Sequence, residues 1–161
     1  MPQGHYQKQA DALYRQKNYP AALAMYRKEV GAWYLRLRYN YHEDMSLFGI
    51  ARSHCQQEDF EQGRETYQRL AEIAHGFYQE RAEEELAKLD RELENIAELE
   101  EQLANATDDN QKSQILFDMA LSYRSIKCAK KAKEQYALVQ ALDIPDSLKA
   151  LARKFAADDS W

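Results

Sequence analysis

The hydrophobic positions of this chain fall at helical spacing, most plainly in its middle. Leu86, Leu89, Leu93, Ile96, Leu99 and Leu103 recur at three- and four-residue steps, which places them on one face of a helix. Glu84 stands four residues before Lys88, the favourable order for a pair one turn apart. Gly76 is the only breaker upstream, and Asp108-Asp109-Asn110 offers an N-cap for the helix that follows Thr107. The spacing predicts one long helix over about 78–105. Ala97 and Ala104 keep the phase of a degenerate repeat, but no turn signal divides the stretch.

Three other stretches, 6–30, 47–73 and 116–142, each show two helical periods around a short polar break. They align with one another. Ala10, Ala51 and Ala120 occupy one place, a small residue on a first helix where a second helix crosses closely. Twelve residues later stand Ala22, Gly63 and Ala132, the small residue of the second helix that faces the first. Tyr26, Tyr67 and Tyr136 follow one turn further along the same face, as rings that fill the space beneath the pair. The first two repeats are 41 residues apart, and about seven extra residues fall in GAWYLRLRYNYHED, read as a longer second helix reaching past Tyr34 toward Arg38. The next interval, 69 residues, accommodates the long helix. The closing DSLKALARKFAADD is a helix over about 146–157, of the kind that covers the open end of a stack.

This arrangement resembles the tetratricopeptide repeat family, whose helix-turn-helix unit of about 34 residues carries these small and aromatic positions. Three repeats are recognisable, at about 3–38, 44–75 and 110–143, and their aligned segments cover about half of the chain directly. Tyr19 and Phe60 match the aromatic that opens the second helix, Tyr123 falls late in a first helix, and Pro145 lies just past the third repeat. Gln9 and Met119 depart where the family favours Leu, Glu29 where it favours Ala, and Ala129 replaces the opening aromatic. The resemblance implies an all-α fold over 1–161 as a single domain: a right-handed stack of antiparallel hairpins, an α-solenoid, with one long acidic helix and a C-terminal capping helix. It also implies a concave groove, lined by first helices, that holds a protein or peptide partner.

Composition agrees with packed helices: 45% hydrophobic and 30% charged residues, with 5 Gly and 3 Pro. Formal net charge is −5, and residues 80–102 hold ten Asp or Glu against three Lys or Arg, a local −7. An acidic chain lacks the counterion-release term for nucleic acid, so neither nucleic acid nor an anionic membrane surface is expected as partner. No apolar run approaches the roughly 20 residues of a membrane span, and the N-terminus lacks a signal-peptide layout. Cys55 and Cys128 have no framework spacing and read as thiols of a reducing compartment, which places the chain in the cytoplasm.

No glycine-rich loop, HExxH or CxxC is present, and His5, His42, His54 and His75 lack ligand spacing. We therefore expect no catalytic residues, no metal site, no cofactor and no enzyme activity. Projected onto this chain, the family's inner face receives Lys8, Asp11, Tyr14 and Arg15 from the first repeat. The second contributes Phe48, Arg52 and Cys55, and the third Phe117, Leu121 and Arg124. Rings and arginines together suit a peptide with apolar anchors and an acidic group, although Phe48 and Phe117 also fit plain burial between helices. The carboxylate clamp of chaperone-binding members is absent: its places hold Gln7, Asp11, Gly49, Gln114 and Asp118. Trp33, Tyr34, Arg36, Arg38 and Tyr39 have interface composition and form a candidate second surface. Lys127, Lys130, Lys131 and Lys133 read as solvated.

The function expected is an adaptor, scaffold or small chaperone. Two rivals stand beside it. One is a homo-oligomeric scaffold, a homodimer through the stripe of residues 80–103, although Glu100 interrupts its heptads. The other is a secretion-type chaperone, whose ligand is a secreted subunit.

Overall fold

A computed structural model describes residues 4–31 and 41–160. Among these residues the chain forms eight α-helices and no strand. In order they are α1 (His5–Arg15), α2 (Tyr19–Val30), α3 (Tyr41–Gln56), α4 (Phe60–Ile73), α5 (Phe77–Asn105), α6 (Asp109–Ser125), α7 (Ala129–Gln140) and α8 (Asp146–Ala157). The chain divides into two compact units, Met1–Ala87 and Lys88–Trp161, and the division falls within the sequence of α5. In the first, α1 packs on α2, α2 on α3, α3 on α4, and α1 also touches α3. In the second, α6 packs on α7 and α7 on α8.

The three hairpins α1–α2, α3–α4 and α6–α7 close through the same turn. Lys17, Glu58 and Lys127 take the left-handed conformation, with φ of 59°, 66° and 61°. Each N–H donates to the carbonyl three residues back, on Tyr14, Cys55 and Arg124. The following N–H reaches five residues back, Asn18 to Leu13 at 3.0 Å, Asp59 to His54 at 2.9 Å and Cys128 to Tyr123 at 2.9 Å. The last carbonyls of each first helix are thereby satisfied. Asn18 and Asp59 then cap the second helices, accepting from Ala21 and Gln62 N–H. Asp108 caps α6 in the same way at 2.9 Å.

The small and aromatic positions form the core of these hairpins. Ala10, Ala51, Ala120, Ala22 and Ala132 are fully buried, and Tyr26, Tyr67 and Tyr136 nearly so. At Gly63 a Cβ would meet Cys55 Sγ at 2.8 Å and the Ala51 carbonyl at 3.3 Å, so only hydrogen fits where α4 crosses α3. In the first hairpin Glu29, fully buried, accepts the Gly4 and Tyr6 N–H groups at 2.8 and 3.1 Å. The carboxylate thus satisfies the open amides at the start of α1, where a negative charge also meets the helix dipole favourably.

α2 ends at Val30, and the Gly31 N–H closes it on the Arg27 carbonyl. The expected extension toward Arg38 lies outside the described residues. α5 is one helix of 29 residues, on which Ala97 and Ala104 are exposed. Its Leu89, Ile96 and Leu99 are buried, and Asn95 Nδ2 donates to Ser122 Oγ of α6 at 2.8 Å. Leu86, Leu93 and Leu103 of the same stripe are half-buried. Among the described residues no helix is long and apolar enough to cross a membrane.

Candidate functional site

The α1–α3 contact of the first unit brings Tyr14 of the first repeat and Arg52 of the second together. Asp11 and Tyr14 share a face of α1, and Phe48 and Arg52 share a face of α3. The Arg52 guanidinium lies over the Tyr14 ring, 4.9 Å from its centroid, and Tyr14 meets Tyr19 edge-on at 5.1 Å. Tyr14 Oη and Arg52 Nε are buried and have no hydrogen-bond partner among the described residues. Asp11, the nearest acid on α1, is used elsewhere: its carboxylate accepts from Gln7 Nε2 and, at 2.6 Å, from the Tyr26 hydroxyl. His42 Nδ1 on α3 lies 3.1 Å from Gln7 Oε1. This polar chain stands where the other two hairpins have a phenylalanine against the tyrosine.

Phe48 is wedged between Tyr67, at 5.6 Å, and Tyr78 of α5, at 5.9 Å, with the Arg81 guanidinium 5.9 Å above its ring. Arg81 is held in turn by Glu84 and Glu85, each at 3.4 Å. The surface is thus a cation on a tyrosine beside a ring cluster capped by a second cation. Burial raises the Tyr26 phenol far above its ordinary pKa, helped by Asp11, and burial raises Tyr67 likewise, helped by Cys55 and Glu85. The positive charge of Arg52 opposes both shifts.

The other predicted residues divide. Lys8 and Arg15 are exposed on α1. Cys55 is not on the inner face: it is 2% exposed and sits under Gly63 at the crossing of α3 and α4, because that side of α3 faces its own hairpin partner. Phe48 and Phe117 are half-buried in ring pairs, Phe117 against Tyr136 at 5.8 Å. Leu121, in the second unit, is 54% exposed, and Arg124 donates to Asp158 Oδ2 at 3.1 Å. Trp33, Tyr34, Arg36, Arg38 and Tyr39 lie outside the described residues.

Tyr78 and Arg81 escaped the sequence reading because they open α5, which has no repeat signature. Their spacing of three after Gly76 is the only local signal. A cavity of about 390 Å3 in the first unit is lined by Arg27, Val30, Leu47, Ile50, His54 and Arg69 among others. His54 Nδ1 is bound to the Asp59 carboxylate at 3.0 Å, across the α3–α4 turn. Among the described residues no three His, Cys, Asp or Glu side chains converge as a metal site would require. Comparisons with protein-family models, with curated proteins and with solved structures find no match to this chain.

Proposed function

We propose that this chain is an interaction module of the tetratricopeptide type, an adaptor or small chaperone rather than an enzyme. Its α1–α3 face holds an acidic, apolar-anchored segment of a protein partner. The observation that carries this reading is Arg52. Its guanidinium lies over the Tyr14 ring, and its buried Nε has no hydrogen-bond partner among the described residues. A charged hydrogen bond from a partner's carboxylate is worth about 1.5–3 kcal/mol, and the neighbouring rings supply contact area.

The test is capture of partners from the source cell by the wild-type chain and by Arg52→Glu, both shown folded by circular dichroism. Charge reversal at the anchor should weaken capture by at least about tenfold. Partners retained equally by both proteins would overturn the proposal.

A further inference from the structure

The second unit carries an acidic segment of its own on a cationic corner. Arg124, in the last turn of α6, and Lys133, in the first half of α7, flank the left-handed turn at Lys127. α8 lays Phe155 on Tyr136, with ring centroids 5.6 Å apart, and the chain then returns to this corner. Arg124 donates to Asp158 Oδ2 at 3.1 Å and Lys133 Nζ to Asp159 Oδ1 at 2.7 Å. Leu121, one turn before Arg124 on α6, is 54% exposed. Lys130 and Lys131 add charge nearby, with Glu134 within 4.0 and 3.4 Å of them.

We propose that Leu121, Arg124 and Lys133 form a docking surface for a partner segment with two adjacent carboxylates beside an apolar side chain. Asp158 and Asp159 occupy this surface in cis until such a segment displaces them.

The chemistry of the occupant is read from the one already seated there. Two neighbouring carboxylates meet two cations on opposite sides of one turn, which fixes both sign and spacing. Hydrogen bonds from Ser160, with Arg124 after them, hold the Asp158 carboxyl below the usual carboxylate range, so the contact is charged at neutral pH. The side chains of Asp158 and Asp159 are nevertheless 33% and 69% exposed, and ion pairs in such places are weak and screened by salt. Phe155 anchors α8, whereas the two carboxylates are replaceable. Because they are tethered, they compete at an effective concentration of the order of millimolar, which sets the threshold a partner must exceed.

The inference extends the reading of the chain as a binder of acidic segments, but its test does not involve Arg52. The probe is a capped Ala-Asp-Asp-Ser peptide titrated into the full chain, followed by the amide NMR signals of Leu121, Arg124 and Lys133. In Asp158→Asn/Asp159→Asn these signals should saturate at roughly 2- to 30-fold lower peptide concentration than in wild type, since the occupant is gone. Adding Arg124→Gln should abolish the response, and a capped Ala-Asn-Asn-Ser peptide should produce none. Equal responses in wild type and double variant, or binding of the Asn peptide, overturn the inference. So does a wild-type dimer, by light scattering, that the double variant abolishes, because the segment would then serve a second copy. Should the double variant fold poorly, the two single Asp→Asn variants apply the same criterion. Failure here with Arg52-dependent capture intact removes this inference alone.

Discussion

Replacing Gly49 with alanine tests whether one hairpin nests on the next. Gly49 lies on α3, and an added Cβ would stand 2.3 Å from Tyr26 Cζ and 2.6 Å from both Cε atoms. Carbon atoms in contact sit about 3.5–4.0 Å apart, so the ring must retreat by about 1 Å. It has little room: Tyr26 is 3% exposed and its hydroxyl is tied to Asp11 at 2.6 Å. Overpacking costs about 1–3 kcal/mol, and losing the bond to a charged acceptor adds about 1 kcal/mol or more. Alanine in place of glycine within a helix gains about 1 kcal/mol. The clash wins, leaving a net loss of about 1–3 kcal/mol, measurable by urea denaturation followed by circular dichroism. In a Tyr26→Leu background the ring is gone, and Gly49→Ala should become neutral or stabilising. The same effect in both backgrounds, or a stabilised single variant, would refute the packing argument.

Four further outcomes are expected. Glu29→Ala should cost about 2–4 kcal/mol, because two amides at the start of α1 lose their buried acceptor; a loss under about 1 kcal/mol would mean water replaces it. At the left-handed turn, Lys127→Gly should be more stable than Lys127→Val by about 1–2 kcal/mol in thermal or urea unfolding, since only glycine takes φ of 61° without steric cost. Tyr136→Phe should be neutral or stabilising, as its buried hydroxyl has no partner among the described residues, whereas Tyr26→Phe should cost about 1 kcal/mol. The buried phenols also set an alkaline limit. Folding raises the pKa of Tyr26, Tyr67 and Tyr136, so their contribution is intact below the unfolded value of about 10 and is lost as pH rises through the folded values. Urea midpoints measured upward from about pH 9 should fall, and Tyr67→Phe should flatten the fall.

Much of the helical architecture was legible because helix period, caps and small-residue positions are local properties. The stripe from Leu86 to Leu103 was enough to define α5, and the run Asp108-Asp109-Asn110 was readable as the source of a cap, which Asp108 supplies. The turns were harder. None of Lys17, Glu58 and Lys127 announces a left-handed conformation, and no glycine marks any of the three sites; the hydrogen bonds back to the preceding helix impose it. The candidate surface was legible in its residue types and only partly in its geometry. Arg52 and Tyr14 meet, but Cys55 turns inward and the phenylalanines are half-buried fillers.

The sequence by itself determined that these residues are helices and which faces of the hairpins close on each other, because a period of 3.6 residues and a small residue at a crossing need no distant partner. Only the tertiary structure decided the polar assignments. Glu29 caps a helix that begins 24 residues earlier, Gln7 replaces a ring by joining Asp11 and His42, and Asp158 takes the arginine of α6 that was expected to face a partner. Such choices depend on which side chains of remote segments arrive within about 3 Å of each other, and no local spacing encodes that distance.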